Sequence, residues 1–215
     1  MSNGFIVSGT DTGIGKTVFC AGLVGAVKGS YWKPIQAGLD GETDRDVVGR
    51  LSGITGSRLL AEAYRLETPC SPHRAGELDG VTIEPKRLEL PDQSGGALGP
   101  LVVEGAGGLM VPLTRTHLQI DQFAVWGLPV ILCARTTLGT INHSLLSIEA
   151  LRKRGLMIAG IAFIGPRNDD TQETIREVSG VRVLGRLPII EQIDARSLAN
   201  AFGEAFQIQD FVSPS

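Results

Sequence analysis

A glycine-rich segment near the start of the chain contains the residue types of a phosphate-binding loop. It reads Gly9-Thr-Asp-Thr-Gly-Ile-Gly-Lys16-Thr17 and joins a short apolar run to a segment with helical apolar spacing. Glycines let backbone N–H groups turn toward an anion, and the following helix directs the positive end of its dipole there. The lysine can reach the β- and γ-phosphates, and the threonine hydroxyl can bind Mg²⁺. The segment predicts nucleotide phosphate binding, although five residues, not the usual four, separate Gly9 from Gly15.

Two further charged residues end predicted strands, where an open parallel sheet binds its ligands. Lys33 begins the segment Lys33-Pro-Ile-Gln-Ala-Gly38, and an ammonium there would stabilise charge on a transferring phosphoryl group. The alternative interpretation of Lys33 is an ordinary surface lysine. Glu104 closes an apolar run and precedes Gly105-Ala-Gly-Gly108, and a buried carboxylate beside a phosphate loop is a natural Mg²⁺ ligand.

An acidic cluster follows the second predicted strand and contains Asp40, Glu42, Asp44 and Asp46. Such a cluster is by itself typical of a solvated loop and helix start. Because Mg²⁺ usually takes one or two carboxylates with waters and phosphates, one member could complete a site with Glu104 and Thr17. The pattern alone leaves both Asp44 and Asp46 open as that member.

These residues need a scaffold of alternating strands and helices. Apolar runs predict strands at 4–8, 30–34, 100–104, 129–134, 157–164 and 182–185. Helical spacing predicts helices at 17–28, 44–51, 118–126, 144–154, 171–178 and 197–206, whereas 68–80 and 94–99 indicate loop or irregular structure. Several strands are apolar throughout, which is typical of a sheet buried on both faces. The predicted fold class is therefore α/β, a mainly parallel sheet with helices on both faces.

Length and composition narrow the functional classes. The 215 residues suit one compact domain, 1–215, and a net charge of −3 offers no electrostatic footprint for nucleic acid. No apolar run approaches the ~18 residues of a membrane span, and we expect no leader segment at the N-terminus. The three cysteines are odd in number and lack CxxC spacing, which favours a reducing, cytoplasmic location over a disulfide framework or a zinc site.

Five motifs taken together resemble the dethiobiotin synthetases, the penultimate enzymes of biotin synthesis. They are Gly9-Thr-Asp-Thr-Gly-Ile-Gly-Lys-Thr17, Lys33-Pro-Ile-Gln-Ala-Gly38, Ser71-Pro-His73, Val103-Glu-Gly-Ala-Gly-Gly108 and Leu138-Gly-Thr-Ile-Asn-His143. The resemblance implies a P-loop NTPase-like fold, a homodimer, and closure of a ureido ring on 7,8-diaminopelargonic acid with CO₂. It implies ATP as co-substrate and Mg²⁺ as cofactor, while the net charge and the lack of a long apolar run predict no nucleic-acid or membrane partner.

The resemblance also implies roles for particular residues. Lys16, Thr17 and Lys33 would be catalytic, and the metal ligands would be Thr17, Asp44 and Glu104. Asp44 is preferred over Asp46 because the family's metal aspartate stands about six residues before the equivalent of Arg50. ATP would contact Gly13, Ile14, Gly15, Lys16, Thr17, Val18, Asp44, Glu104, Gly105, Ala106, Gly107, Ile164, Gly165, Pro188, Ile189 and Ile190. The substrate would contact Thr12, Lys33, Ala37, Gly107, Leu138, Gly139 and Asn142, with Leu138, Gly139 and Asn142 acting across the dimer interface.

Two positions depart from the family pattern. Ala37 stands where the family often has a serine or threonine, so one hydroxyl toward the substrate is missing. Ile164 precedes Gly165 where the family often has an asparagine that contacts adenine. An isoleucine offers only an apolar surface, and we therefore expect a broader choice of nucleoside triphosphate.

Two other classes share the expected ATP-binding core. Regulatory ATPases with a deviant phosphate loop carry a signature lysine five residues before the phosphate lysine, and Asp11 occupies that position here. They also commonly carry a membrane-binding C-terminal helix, whereas residues 207–215 form a short segment without a basic face. Glutamine-dependent amidating ligases need a further glutaminase domain that a chain of this length could not hold. We therefore keep the regulatory ATPase as the alternative function.

Overall fold

The computed structural model describes residues 4–92 and 99–212, and the elements named below lie within these ranges. The strands are β1 Gly4–Gly9, β2 Ser30–Trp32, β3 Ile35–Ala37, β4 Tyr64–Leu66, β5 Leu101–Gly108, β6 Val130–Arg135, β7 Ile158–Ile164 and β8 Val183–Leu187. The helices are α1 Lys16–Ala26, α2 Asp44–Ser52, α3 Pro72–Asp79, α4 Gln119–Trp126, α5 Thr140–Lys153, α6 Asp169–Ser179 and α7 Ala195–Ala205.

Six strands form the main sheet in the order β2-β5-β1-β6-β7-β8, and the pairings along it are parallel. Strand β1, the first of the described strands in chain order, therefore lies inside the sheet between β5 and β6. Its six residues are buried, because helices cover both faces of the sheet. The predicted fold class, α/β with a mainly parallel sheet, is confirmed.

The core is divided by the sheet. On one face, α1, α2 and α7 pack with aromatic side chains such as Phe19 and Phe202, whose ring centroids are 5.5 Å apart. On the other face, side chains of α4 and α5 pack against the sheet, with Phe123 and Leu151 fully buried there. Since a parallel sheet has its carboxyl-end loops at a single edge, this packing brings the loops after β1, β2 and β5 together.

The chain leaves the main sheet directly after β2. Lys33 and Pro34 connect β2 to β3, which pairs in parallel with β4 as a second, two-stranded sheet. The sequence analysis did not predict this small sheet, because runs of three residues are too short to show a clear period. Lys33 is consequently held between two sheets and is only 7% exposed.

The prediction of loop or irregular structure at 68–80 is wrong for Pro72–Asp79, which form α3. Pro72 occupies the first turn of this helix, and Gly80 ends it with a left-handed φ of 69°. The buried positions of α3 carry only small side chains, Pro72, Ala75 and Gly76, so no apolar stripe reveals it in the sequence. The loop predicted at 94–99 lies outside the described residues except for Gly99.

Two other boundaries differ in ways that affect the site. Helix α5 begins at Thr140 and not near residue 144, so Asn142 lies in its first turn. Strand β5 continues past Glu104 through the glycines to Gly108. Since glycine is unfavourable in strand interiors, the sequence predicted the end of β5 too early.

Candidate active site

The predicted phosphate loop joins β1 to α1 in the structure. Gly15 precedes the helix with a φ of 95°, a left-handed conformation that glycine adopts at little cost. A Cβ at Gly15 would lie 3.0 Å from Ile164 Cγ2, so the absent side chain also leaves room for the β7 strand end. Lys16 and Thr17 form the first turn of α1, where unpaired N–H groups and the helix dipole favour an anion.

Three oxygen-bearing side chains from three elements meet beside this loop. Thr17 Oγ1 lies 2.9 Å from Asp44 Oδ1 and 2.9 Å from Glu104 Oε1. Thr17 is on α1, Asp44 begins α2, and Glu104 is on β5. The sequence separations are 27 and 87 residues, so only the fold brings the three together.

Lys33 lies against the same two carboxylates. Its ammonium forms an ion pair with Asp44 Oδ2 and a second one of 3.1 Å with Glu104 Oε1. Burial disfavours the charged lysine, but Glu104 and Asp44 outweigh burial and raise the pKa of Lys33 above its usual range. Burial likewise opposes ionisation of Asp44, but Lys33 and a Thr17 hydrogen bond lower the pKa of that carboxyl. Lys33 therefore stays positively charged at neutral pH.

Lys16 extends back over the phosphate loop. Its Nζ donates to the Asp11 carbonyl oxygen at 3.0 Å, and the residue is 6% exposed. Burial lowers the pKa of Lys16, partly opposed by Glu104, and the nearby charge of Lys33 lowers it further. Two buried lysines of one site thus converge on the region expected to hold the phosphates.

A tyrosine that the sequence analysis did not identify completes the cluster. Tyr31 on β2 is fully buried, and its hydroxyl donates to Glu104 Oε2 at 2.8 Å. Burial and the Glu104 charge raise the pKa of Tyr31 well above its usual range, so the hydroxyl keeps its proton. In the sequence Tyr31 is simply one residue of an apolar strand, and no local signal marks it.

The other acidic candidates have different partners. Asp46 Oδ2 accepts a hydrogen bond of 3.0 Å from the Thr43 N–H, and the Asp46 N–H donates one of 3.3 Å to Thr43 Oγ1, which forms a capping box at the start of α2. The Thr43 hydroxyl also donates to Asp46 Oδ2 at 2.6 Å. Glu42 forms a bidentate pair with Arg50. Asp44, and not Asp46, is therefore the aspartate that contacts Thr17.

These residues fit a magnesium ion by their donor chemistry. Thr17, Asp44 and Glu104 offer one hydroxyl and two carboxylates, and Mg²⁺ prefers one or two carboxylates completed by water and phosphate oxygens. Across residues 4–92 and 99–212, no group of three or more His, Cys, Asp or Glu side chains is arranged to hold a metal. The oxygen-only set suits a hard cation that is held partly by nucleotide phosphates.

A cavity of about 410 Å³ opens beside the cluster. Four of the predicted substrate-binding residues line it, namely Thr12, Lys33, Ala37 and Gly107. Gly107 has a φ of 67°, and a Cβ there would come within 2.9 Å of Thr12 Oγ1. Glycine at this position therefore allows the end of β5 to approach the phosphate loop closely.

The remaining predicted substrate contacts lie apart from this cavity. Leu138 is fully exposed, Gly139 precedes α5 with a φ of 93°, and Asn142 is exposed on the first turn. None of these three residues is among those that line the cavity around Lys33 within the described structure.

The predicted base contacts gather at the ends of β7 and β8. Ile164 is 8% exposed and packs against Gly15, so it supports the phosphate loop. The Gly165 carbonyl accepts a hydrogen bond of 2.7 Å from Arg186, and Pro188 follows β8 directly. Beyond it, Ile189 is 69% exposed, which leaves an apolar side chain free to face a planar ring.

Arg135 is a second residue that the sequence analysis missed. It ends β6, and its Nη2 donates to the Thr12 carbonyl oxygen at 2.8 Å, so it fixes one peptide of the phosphate loop. Its position at a strand end beside β1 is the signal that could have identified it.

Comparison with known proteins gives consistent findings. A family profile described as an AAA domain matches residues 3–197. The ATP-dependent dethiobiotin synthetase BioD of Rhodopseudomonas palustris strain BisB5 is 59% identical over 212 residues, which are 99% of this chain and 98% of that protein. The protein of the same name from Novosphingobium aromaticivorans is 56% identical over 207 residues, 96% of this chain and 98% of that protein.

Solved structures share the fold at low identity. The septum site-determining protein MinD from Pyrococcus horikoshii, complexed with Mg-ADP, matches with a TM-score of 0.55 and 17% identity over 98% of this chain and 95% of that one. A chain of the MinC:MinD cell division protein complex of Aquifex aeolicus matches with a TM-score of 0.54 and 10% identity over 98% of this chain and 94% of that one. These likenesses confirm a P-loop NTPase-like fold.

Within the described residues, no helix has the length and apolar character needed to cross a membrane.

Proposed function

This chain belongs to the ATP-dependent dethiobiotin synthetase family, ligases of biotin biosynthesis that form C–N bonds, and we propose that it closes a ureido ring on 7,8-diaminopelargonic acid. The co-substrates in this proposal are CO₂ and ATP, and the cofactor is Mg²⁺. The observation that carries the proposal is a cluster at the carboxyl edge of the main sheet, in which Asp44 and Glu104 each contact both Thr17 and Lys33.

The reaction divides into three steps. One substrate amine takes up CO₂ and loses a proton, which gives a carbamate. A carbamate oxygen attacks the γ-phosphate of ATP, so an O–P bond forms, the bond to ADP breaks, and a carbamic-phosphoric anhydride results. The second amine then attacks the carbamoyl carbon and loses a proton, so a C–N bond forms, the bond from that carbon to the phosphate oxygen breaks, and the ring closes with release of inorganic phosphate.

The protein contributes positioning and positive charge to these steps. Phosphoryl transfer asks little covalent chemistry of a protein, because its charge develops on phosphate oxygens that must be aligned and neutralised. Lys16 and the N–H groups of the phosphate loop would hold the β- and γ-phosphates, while Lys33 would neutralise the carbamate and the transferring group. Thr17, Asp44 and Glu104 would hold Mg²⁺. When bound, the ion would supply positive charge that offsets the negative charge of the phosphate groups.

The substrate site is proposed to be shared by two subunits of a homodimer. Thr12, Lys33, Ala37 and Gly107 line one cavity, whereas Leu138, Gly139 and Asn142 lie apart from it and are exposed or at a helix start. A substrate with amines at one end and a carboxylate at the other could reach from the cavity around Lys33 in one subunit to Leu138, Gly139 and Asn142 of the other subunit. The N-terminus of α5 would then receive the carboxylate.

A cytoplasmic location is part of the proposal. Cys20, Cys70 and Cys133 are unpaired, and a reducing compartment keeps thiols in that state. The regulatory-ATPase alternative shares only the fold with this chain, and Asp11 gives the opposite charge to that class's signature lysine.

The test is direct product detection. Purified protein is incubated with diaminopelargonic acid, bicarbonate, Mg²⁺ and ATP, and dethiobiotin is sought by mass spectrometry. We expect product that requires ATP and that carries one carbon from labelled bicarbonate. ATP hydrolysis without any ring product would overturn the proposal and favour the regulatory alternative.

A further inference from the structure

The two oxygens of the Glu104 carboxylate have different partners. Oε1 accepts hydrogen bonds from Thr17 at 2.9 Å and from Lys33 at 3.1 Å. Oε2 accepts one of 2.8 Å from the Tyr31 hydroxyl on the opposite side. Glu104 is 1% exposed and Tyr31 is fully buried, so bulk water does not compete for this bond.

Tyr31 is held firmly in its position. Its backbone belongs to β2 and lies in register with Val102 of β5, two residues before Glu104. Its ring packs in the core face formed with α1 and α2. The thiol of Cys20 also faces Glu104, but a thiol is only a weak donor beside a phenol. The Tyr31 hydroxyl is therefore a fixed donor aimed at Oε2.

A carboxylate can bind a cation through one oxygen or through both. Ca²⁺ accepts six to eight oxygens in flexible geometry and often takes both oxygens of one carboxylate, whereas Mg²⁺ requires a near-ideal octahedron. Two oxygens of the same carboxylate are too close together for neighbouring octahedral positions. A donor that occupies one oxygen therefore disfavours Ca²⁺ and costs Mg²⁺ little.

We propose that Tyr31 is a positioning residue that makes Glu104 a one-oxygen ligand and thereby sets the preference of the site for Mg²⁺ over Ca²⁺. The inference rests on the proposed function, because the metal is part of that function. Tyr31 is fully buried, so in this inference it acts only through Glu104.

The test compares Tyr31→Phe with a matched control, Tyr64→Phe. The control also removes a buried hydroxyl, one that accepts a hydrogen bond of 2.9 Å from the Glu84 N–H in the small-sheet region. Each protein is saturated with ADP and loaded with Mn²⁺, and the concentrations of Mg²⁺ and Ca²⁺ that displace Mn²⁺ are measured by electron paramagnetic resonance. Thermal unfolding of each variant is recorded in parallel.

We expect Tyr31→Phe to shift the ratio of Ca²⁺ to Mg²⁺ affinity toward Ca²⁺ by about tenfold, the effect of one hydrogen bond to a charged group. Tyr64→Phe should keep the wild-type ratio. An unchanged ratio in Tyr31→Phe would overturn the inference, and this includes the case in which the affinities for both ions fall by the same factor.

A second experiment uses only the wild-type protein, so it does not require Tyr31→Phe to fold. With glutamate ¹³C-labelled at its side-chain carboxyl, the infrared difference spectrum on adding Mg²⁺ to the ADP complex should show a carboxylate bound through one oxygen. A two-oxygen signature would refute the role of Tyr31. If the metal ratio shifts but the wild-type protein makes no dethiobiotin, the ring-closing function fails while the inference on Tyr31 stands.

Discussion

The cluster around Lys33 and the segment around Leu138 contain the two sets of predicted substrate contacts. The first set surrounds Lys33, which is buried and held by ion pairs, whereas the second set lies exposed at the start of a helix. Lys33 is 7% exposed and forms ion pairs with two carboxylates that are themselves bonded to Thr17. Leu138 is fully exposed at a helix start. Thus one set is preorganised by a single chain, and the other presents an apolar side chain to its surroundings.

The contrast indicates a division of labour. Charge stabilisation needs dipoles and charges that are already in place when the phosphoryl group transfers, because reorganisation during the reaction raises the barrier. Recognition of the far end of a substrate tolerates a surface completed by another subunit. We therefore expect changes in the Lys33 cluster to affect the rate most and changes near Leu138 to affect substrate binding most.

The largest expected effect is that of Lys33→Ala. Removing this ammonium should lower kcat by on the order of 10²-fold or more, because positive charge disappears from the transferring group. Lys86→Ala is the matched control, since Lys86 is an exposed lysine in a short 3-10 helix. Steady-state ring-closing kinetics would measure both variants. Wild-type turnover in Lys33→Ala would remove this lysine from the catalytic set.

Subunit complementation tests the other half of the comparison. Lys33→Ala and Asn142→Asp are each expected to be poorly active, the second because a new carboxylate would repel that of the substrate. After subunit exchange at equal concentrations, statistical mixing in a two-fold symmetric dimer should restore about a quarter of wild-type activity, since half the dimers hold one intact site. Native mass spectrometry would verify exchange. Verified heterodimers without recovered activity would mean that each subunit works alone.

The two aspartates of α2 should separate metal binding from helix capping. Asp44→Asn should raise the Mg²⁺ concentration for half-maximal activity by about tenfold, because it removes a ligand charge. Asp46→Asn should leave the Mg²⁺ requirement unchanged and cost about 0.5–1 kcal/mol of stability, because it weakens the capping box. Magnesium titrations and urea unfolding of both variants would decide. A greater magnesium effect in Asp46→Asn would reverse the assignment.

The last prediction concerns how the stability of the protein depends on pH. The pKa of Asp44 in the folded protein is below its ordinary value of 3.8, because Lys33 and Thr17 outweigh burial. A depressed folded pKa contributes stability above the unfolded value, and that stability is lost as pH falls through the folded pKa. At neutral pH, Asp44→Asn should unfold about 1–2 kcal/mol more easily than wild type. Urea titrations should show this difference shrinking below about pH 4; a difference that is constant with pH would show that Asp44 does not act through its charge.

Much of the fold and part of the site follow from sequence pattern. The strand at β1 is an apolar run, the helix at α1 has apolar residues at helical spacing, and the phosphate loop between them has a recognisable glycine pattern. Glu104 could be singled out because a carboxylate that ends an apolar run needs a partner. These are features of local sequence, in which each residue's neighbours along the chain carry the information.

The remaining features depend on contacts between distant segments. Tyr31 and Glu104 are 73 residues apart, and nothing near Tyr31 indicates a partner for its hydroxyl. Helix α3 buries only small side chains and so lacks an apolar stripe. The sequence pattern does not separate Asp44 from Asp46. In the structure Asp46 is hydrogen-bonded to Thr43, whereas Asp44 contacts Thr17. The role of Ile164 toward a base is still a prediction, and its packing under Gly15 shows how a residue expected to face a ligand can serve the loop instead.

The central place of β1 in the sheet also has a consequence for how the protein folds. Both strands that pair with β1 are encoded far downstream, β5 at Leu101–Gly108 and β6 at Val130–Arg135. Pairings of such separation close large chain loops and are slow to form. On a ribosome that adds about 5–20 residues per second, β1 waits on the order of 5–20 s for its first partner. The phosphate loop, which follows β1 directly, therefore cannot acquire its final shape before β5 and β6 have been made.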